Sequence, residues 1–347
     1  MRVALGLSGG VDSAVAASRL LAAGHDVVAV HYSFLHEPRP GDAADARAVA
    51  AALGVPFEIW DFSAEFRAAI VDHFVAEYEA GRTPNPCVRC NRTMKFGRVL
   101  RRALASGFDA VATGHYARLD ADGAGGVRLR RAVDATKDQS YVLAALDAEQ
   151  LRRCLFPLGG STKAQVRAEA STRGLAVAER PDSLDVCFIA DGDTAGFLAG
   201  RLGDRPGPIV DLTGAVVGSH AGAHRFTVGQ RRGLRLQRPA ADGRPRYVVA
   251  VAPAARTITV GGRAALRVDR LRCGPPTWTG APLRHPFGAL VQFRAHGVPL
   301  PAHVTPGPTA VAVAFAEPAY GVAPGQQAVF YDGDVVVGSA TIEETAA

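Results

Sequence analysis

The sequence predicts an α/β first half, built on a doubly wound parallel sheet, followed by one or two small antiparallel β-barrel domains. Three observations carry this. Up to about residue 200, short apolar runs alternate with helical patterns, the order that gives a parallel sheet covered on both faces. The first run, Val3-Ala4-Leu5-Gly6-Leu7, passes through Ser8-Gly9-Gly10-Val11-Asp12-Ser13 directly into an alanine-rich helical stretch. Beyond residue 200, proline and glycine recur, helix signals vanish and β-rich segments take over.

The expected strands of the first half are Val3–Leu7, Val27–His31, Phe57–Trp60 and Ala110–Thr113. The expected helices are Asp12–Ala22, Ala43–Leu53, Ala64–Glu79, Lys95–Ala105 and Thr162–Arg173, the last stopped by Gly174. Tyr247–Ala252, Thr257–Val260, Ala310–Phe315 and Val335–Ala340 are the clearest strands of the second half. The expected domains are residues 1–200 for the catalytic part, 201–273 for a small central β-rich part and 274–347 for a terminal barrel, divided near Gly200 and near Pro275-Pro276. In a parallel sheet, ligands bind beyond the carboxyl ends of the strands. That gathers Ser8–Ser13, Tyr32, Gly114 and His115 around one pocket.

Composition narrows the function. The 347 residues are 48% hydrophobic, and no apolar run reaches the length of a membrane span. The opening MRVALGLSGG reads as a first strand and not as a signal peptide. Five cysteines, an odd number, point to a reducing cytosol and a cytoplasmic protein. There are 36 arginines against three lysines, Lys95, Lys137 and Lys163; in so alanine-rich a chain this reads as genome composition. Charge placement is more telling. Residues 201–300 carry 16 arginines, no lysine and four aspartates, a net +12, whereas residues 301–347 carry −5 and the first 200 residues −1. A basic block with Arg231-Arg232, Arg235 and Arg238 beside a near-neutral half fits a polyanionic partner, and a solvated basic surface fits the charge equally well.

A strand, a glycine turn and a helix start aim several backbone N–H groups and the helix dipole at one point, which favours a phosphate. Gly9 and Gly10 permit close approach, Ser8 and Ser13 add hydroxyls, and Asp12 can hold Mg2+ against phosphate. The loop lacks the Gly-Lys-Ser/Thr ending of a Walker A sequence and the three glycines of a dinucleotide fingerprint. SGGVDS instead resembles the pyrophosphate loop (PP-loop) of the ATP pyrophosphatase superfamily, whose members split ATP between the α- and β-phosphates and adenylate a carbonyl oxygen.

Thr83-Pro84-Asn85-Pro86-Cys87-Val88-Arg89-Cys90-Asn91 reads as a rigid loop leading to a helix near Asn91. A thiol at that helix start, beside Arg89 and Arg92, is expected to have a lowered pKa and to be a nucleophile. Cys-x-x-Cys on its own fits half a zinc site, a redox pair or two incidental cysteines; the absence of a second such pair argues against closed structural zinc. Cys187, in Pro181-Asp182-Ser183-Leu184-Asp185-Val186-Cys187-Phe188-Ile189, fits either a buried small hydrophobe before a Phe-Ile strand or a working thiol. Cys154 and Cys273 read as structural.

SGGVDS, RTPNPCVRCNRTMKFG, ATGHYARL, KDQSYVLAAL, PDSLDVCFI and RFTVGQRRGL occur in that order, with PGQQAVFYDGD near the end. Together they resemble the bacterial tRNA-specific 2-thiouridylase family over most of the chain. The resemblance implies replacement of the C2 oxygen of the wobble uridine by sulfur in tRNAs of the Lys, Glu and Gln type. ATP held on Gly6, Leu7, Ser8, Gly9, Gly10, Val11, Asp12 and Ser13 would adenylate O2. Cys187 would carry a persulfide and Cys90 would be the second catalytic cysteine. Attack by Cys90 would release sulfide, or deliver sulfur directly to C2, leaving a Cys90–Cys187 disulfide; the thiols are 97 positions apart in sequence. The resemblance also puts Tyr32 and Gly114 at nucleotide-contacting positions. It puts His115, Lys137, Asp138, Gln139, Arg294 and Gln326 at tRNA-contacting ones, and Asn85, Pro86 and Cys87 along the target base. A cysteine desulfurase or a sulfur-carrier protein would supply the persulfide, and the base would be extruded from the anticodon stack.

Many relatives have aspartate where this chain has Cys87, so the acid–base work assigned to that aspartate is open here. Cys87, Cys90 and Cys187 also make three thiols that could ligate an iron–sulfur cluster, an alternative route to the same thiolation. Two further readings stand beside these. A PP-loop ligase forming a small amide would need neither Cys90 nor Cys187. A non-catalytic, nucleotide-gated RNA-binding protein would release no pyrophosphate.

Overall fold

The computed structural model describes residues 1–35, 42–123, 125–178, 186–189, 191–236 and 242–347; Arg238 of the basic block and Pro181–Asp185 of the Cys187 motif lie outside the described residues. The first seven strands are β1 (Arg2–Gly6), β2 (Asp26–Ser33), β3 (Phe57–Asp61), β4 (Ala110–Ala112), β5 (Ala117–Ala121), β6 (Val127–Arg131) and β7 (Cys154–Leu155). Five of them form a sheet in the order β3-β2-β1-β4-β7, every pair parallel. Strand order reverses between β1 and β4, so the loops after those two strands flank the crevice where a doubly wound sheet binds ligands.

Side-chain alternation assigns each face of this sheet. Val3, Leu5, Val27 and Ala29 point to one side, where they pack with Val15 of helix α1 (Val11–Ala22), with Val49 of α2 (Asp42–Leu53) and with Val166 further on. Ala4, Val28, Val30 and Trp60 point to the other, against Phe66, Ile70, Met94 and Val99. Those residues belong to two long helices. Helix α3 joins an α-helical start, Ser63–Phe66, to a π stretch, Arg67–Val71, and an α-helical end, Asp72–Glu79. Helix α4 joins Pro86–Cys90, a π stretch Asn91–Val99 and Leu100–Ala105. Short helices α5 (Ser140–Leu143) and α6 (Ala148–Leu151) precede α7 (Lys163–Thr172) and α8 (Thr194–Leu202). Helix α8 gave no signal in the sequence reading and spans the expected boundary at Gly200.

The second half is β throughout. Strands β8 (Gly207–Val210), β9 (Val216–His220), β10 (Tyr247–Ala252) and β11 (Thr257–Gly261) form a four-stranded sheet. Strands β12 (Arg267–Cys273), β13 (Thr277–Trp278), β14 (Phe287–Gln292), β15 (Leu300–Pro306), β16 (Val311–Tyr320), β17 (Gln327–Asp332) and β18 (Val335–Ala346) follow. All but β13 run β12-β16-β15-β14-β17-β18, and β18 pairs back with β12 to close a six-stranded barrel. Strand β12 therefore belongs to the barrel, whereas a division at residue 273 would leave it in the central domain. Its exposed arginines, Arg267, Arg270 and Arg272, alternate with buried Val268, Leu271 and Cys273, so charge alone did not mark it as a barrel strand.

The first half and the barrel share one core. Leu129 of the β5–β6 hairpin packs in the same cluster as Val329, Tyr331 and Val336. Asp334 accepts from Arg118 and Arg130 of that hairpin at 2.5 Å each. Among the described residues, no helix is long and apolar enough to cross a membrane.

Candidate active site

The loop after β1 closes on itself. Ser13 Oγ donates to Gly10 O at 3.0 Å and accepts from Ser8 N at 3.3 Å. Gly9 has φ +76, and a Cβ there would lie 2.7 Å from Cβ of Asp45 on α2, so glycine is required on both counts. Helix α1 begins at Val11 with Gly10 as its N-cap, and no side chain caps it. Its first-turn amides thus face the crevice, the arrangement that binds phosphate.

Two neighbouring glycines are set by close packing. A Cβ on Gly6 would meet the Tyr32 ring at 2.7 Å, and one on Gly114 would meet the Asp12 carbonyl carbon at 2.9 Å. The predicted convergence of Ser8–Ser13, Tyr32 and Gly114 is therefore present. The Tyr32 hydroxyl is buried with no hydrogen-bond partner among the described residues, and burial raises its pKa. Such a group normally finds a partner, and a bound nucleotide would supply one.

Sequence reasoning missed two residues here. Lys163 Nζ donates to both oxygens of Asp12 at 2.8 Å, and the Tyr116 hydroxyl donates to Asp12 Oδ1 at 2.7 Å. Lys163 opens α7, where Thr162 and Gln165 form a reciprocal capping box. The missed signal was its rarity: a lysine kept among 36 arginines, just inside a capped helix. Asp12 is the only carboxylate in the loop, and these two donors occupy it. A cation held there would take its remaining ligands from phosphate.

The thiols come together differently from expectation. Helix α4 starts at Pro86, with Asn85 as N-cap: Asn85 Oδ1 accepts from Cys87 N at 3.1 Å and from Val88 N at 3.3 Å. Cys90 is therefore one turn inside the helix, not at its start, and only 8% exposed. Its pKa is pushed up to about 12, mainly by burial; Lys95 opposes this, and Cys187 and Cys87 add to it. The expectation of a lowered pKa fails because desolvation outweighs the nearby cations. That Cys87 and Cys187 both act electrostatically on Cys90 places the three thiols in one neighbourhood. Among the described residues, however, no three His, Cys, Asp or Glu side chains gather as a metal-ligating group, so the cysteines as placed do not form a cluster ligand set.

Cys187 is exposed on a turn, with no strand after it. Phe188 anchors the turn against Phe74 and Phe197, with ring centres 5.3 and 5.5 Å away. Cys154 and Cys273 are buried, and burial raises both thiols, as structural cysteines require.

The remaining predicted residues lie mostly in internal contacts. His115 is buried between Phe96 and Phe156, with Nδ1 2.6 Å from Thr113 Oγ1; burial holds its pKa well below the usual value. Asp138 accepts from Arg131, Ala132 and Ser140, and Gln139 Oε1 from Tyr116 N at 2.9 Å. Lys137 follows Asp134 in a turn, its N–H bonded to the Asp134 carbonyl. Arg294 donates to the Gly321 carbonyl, and Gln326 Nε2 to the Thr83 carbonyl at 2.6 Å. Lys95 acts electrostatically on both Cys90 and His115, and His115 directly follows Gly114. In the basic block, Arg231, Arg232 and Arg235 are exposed, and no carboxylate pairs with them among the described residues.

With this geometry in place, comparison with known proteins is decisive. Three family models match in succession: a tRNA methyl transferase HUP domain over residues 1–191, a tRNA methyl transferase PRC-barrel domain over 195–262 and an aminomethyltransferase β-barrel domain over 268–342. A tRNA-specific 2-thiouridylase MnmA of Salinispora arenicola is 56% identical over 359 aligned positions, covering 99% of each chain. That of Acidothermus cellulolyticus is 54% identical, covering 99% of this chain and 98% of its own. The chain belongs to the tRNA-specific 2-thiouridylase family. A solved 4-thiouridine synthetase–RNA complex with bound ATP shows a weaker likeness, 20% identical with a TM-score of 0.37, covering 52% of this chain and 43% of its own. The third family segment begins one residue into β12, in agreement with the barrel seen here.

Proposed function

We propose that this protein uses ATP to replace the C2 oxygen of a tRNA wobble uridine with sulfur. The observation that carries the reading is that one chain holds both a phosphate-binding loop and the neighbouring thiols Cys87, Cys90 and Cys187, and that its relatives match along its whole length. ATP lies along Gly6–Ser13, with Tyr32 and Gly114 at the nucleotide and Lys163 close to the phosphates. O2 of the base attacks the α-phosphorus and pyrophosphate leaves. Magnesium, where bound, neutralises phosphate charge.

Cys187, exposed on its turn, receives a persulfide from a cysteine desulfurase or a sulfur carrier. The buried Cys90 attacks the inner sulfur of that persulfide. A Cys90–Cys187 disulfide forms, and the outer sulfur departs as hydrosulfide, which adds at C2 and expels AMP with the former O2. In the direct variant the outer sulfur adds to C2 before Cys90 cleaves the sulfur–sulfur bond. Both end with the same disulfide, which a two-electron thiol reductant must reset.

The raised Cys90 pKa fits a thiol kept neutral until its partner arrives. Its proton has to leave during attack, and Lys95 stabilises the thiolate that forms. Asn85, Pro86 and Cys87 line the base, and His115, Lys137, Asp138, Gln139, Arg294 and Gln326 hold or support the tRNA surface. Nucleoside mass spectrometry of tRNA incubated with enzyme, ATP and a persulfide donor tests the reading. Cys90→Ser and Cys187→Ser should each abolish 2-thiouridine while tRNA still binds; thiolation that survives either change defeats the mechanism.

A further inference from the structure

A cavity of about 800 Å³ lies between α3, α4 and the barrel, on the far side of α4 from the thiols. Asn85, Arg89, Arg92 and Thr93 line it, a spacing that places them on one helix face. Cys87 and Cys90 lie on the opposite face and do not line it. Across from α4 stand Glu77 in the last turn of α3, Arg82 just beyond it, and Arg272 and Glu343 on the barrel.

The charges in this cavity do not cancel. Arg82 is held by Glu77 through two bonds of 2.7 and 2.5 Å. Arg272 is held by Glu343 and Glu344 at 2.7 Å each. Both cavity carboxylates are thus ion-paired, Glu77 with His73 as well at 3.8 Å, and Glu77 also acts on Arg89 without a salt bridge to it. Arg89 gives its Nε to the Ala69 carbonyl at 2.7 Å, and neither Arg89 nor Arg92 has a carboxylate partner among the described residues. Burial presses on the Arg89 cation, Glu77 eases it and Arg92 adds repulsion, so a phosphate between the two arginines would offset that repulsion.

We propose that this cavity is a second RNA subsite, in which Arg89 and Arg92 hold the phosphate of a nucleotide flanking the target base. The inference rests on the tRNA reading above. The strand straddles the amino end of α4, with its target base on the thiol face and its neighbour's phosphate on the arginine face. Arginine pairs suit phosphate because the planar guanidinium offers parallel donors. The cavity is roomy enough for a whole nucleotide and opens beside Asn85-Pro86, the turn any strand reaching Cys87 must pass.

The test is a cycle between protein and RNA. Anticodon stem-loops carrying one neutral methylphosphonate at each loop position in turn are titrated by fluorescence anisotropy against the full-length wild-type protein and Arg92→Ala, with melting curves to confirm folding. Arg92→Ala should weaken binding about tenfold and lower the salt slope by about 0.7, the value of one single-strand phosphate contact. At one phosphate within two nucleotides of the target, the methylphosphonate should weaken wild type by a similar factor and have no further effect on Arg92→Ala. Additive effects at every position, or wild-type affinity in Arg92→Ala, overturn the subsite. So does an Arg92→Glu protein that binds RNA normally yet accepts sulfur more slowly from a protein donor, which would make the cavity a protein-docking site. If the wild-type protein neither binds nor thiolates tRNA, the functional reading itself has failed; if it does both and the cycle is additive, only the subsite has.

Discussion

Gly114→Ala isolates how the second loop of the crevice fixes the first. Gly114 does not have a positive φ, so alanine meets no backbone penalty there. The cost is purely steric. The added Cβ would sit 2.9 Å from the Asp12 carbonyl carbon and 3.0 Å from Ser13 N, both backbone atoms of the phosphate loop. Ordinary contact needs about 3.4 Å, so the first turn of α1 must retreat by about 0.5 Å, an overpacking worth about 1–3 kcal/mol. Because the displaced atoms carry the phosphate-binding amides, the loss should fall on ATP, as a rise in Kd of about 5- to 150-fold. Gly160→Ala is the control, since nothing lies within 4 Å of its Cβ position. Calorimetric titration with ATP measures both. Gly114→Ala protein that melts like wild type and binds ATP within twofold of it would refute the argument that Gly114 sets the loop.

Three further outcomes are expected. Lys163→Ala removes both ammonium bonds to Asp12 and keeps the one from the Tyr116 hydroxyl; pyrophosphate release should fall at least tenfold, and an unchanged rate would assign Lys163 a purely structural task. Cys90 titrates near 12 when folded against about 9 for an ordinary thiol, so the stabilisation from keeping it neutral is complete below pH 9 and is lost as pH rises toward 12. Chemical denaturation across that window should show Cys90→Ala losing less stability than wild type, and parallel curves would mean that Cys90 is not desolvated. Gln326→Ala removes the 2.6 Å bond to the Thr83 carbonyl, a loss of about 0.5–1.5 kcal/mol; kcat should drop while ATP affinity holds, and a change confined to tRNA affinity would return Gln326 to direct RNA contact.

The sequence made the scaffold legible where one physical signal dominated. Val3–Leu7 and Val27–His31 are almost wholly buried runs, and they fall on the adjacent strands β1 and β2. The glycine loop between β1 and α1 was readable because only a few residue types tolerate its geometry. Helix α4 was not read correctly. Its first turn, Pro86–Cys90, looks like a loop because prolines flank Asn85, yet those residues are an N-cap and a proline at the first helical position, where a missing N–H costs nothing. That local misreading carried the error about Cys90, since a thiol's pKa depends on burial that only tertiary packing supplies. The Asp12–Lys163 pair joins residues 151 positions apart, and no local pattern announces such a contact.

Under the proposed tRNA reading, Thr83 links the β modules to the helix that carries Cys90. Thr83 stands just before α4 and is held from three sides. Its N–H donates to the Pro324 carbonyl at 2.8 Å, its own carbonyl accepts from Gln326, and its hydroxyl donates to that of Thr227 at 3.3 Å. Gly325 has φ +92 and lets the barrel backbone come close, since a Cβ there would lie 2.9 Å from Thr83 N. The barrel and the central domain therefore both bond to Thr83, four positions before Cys87 and seven before Cys90. Helix α4 cannot shift along its axis without straining both contacts. An RNA that pulls on either β module thus acts on the amino end of the helix that carries Cys90, and a loosened Thr83 should cost sulfur transfer before it costs adenylation.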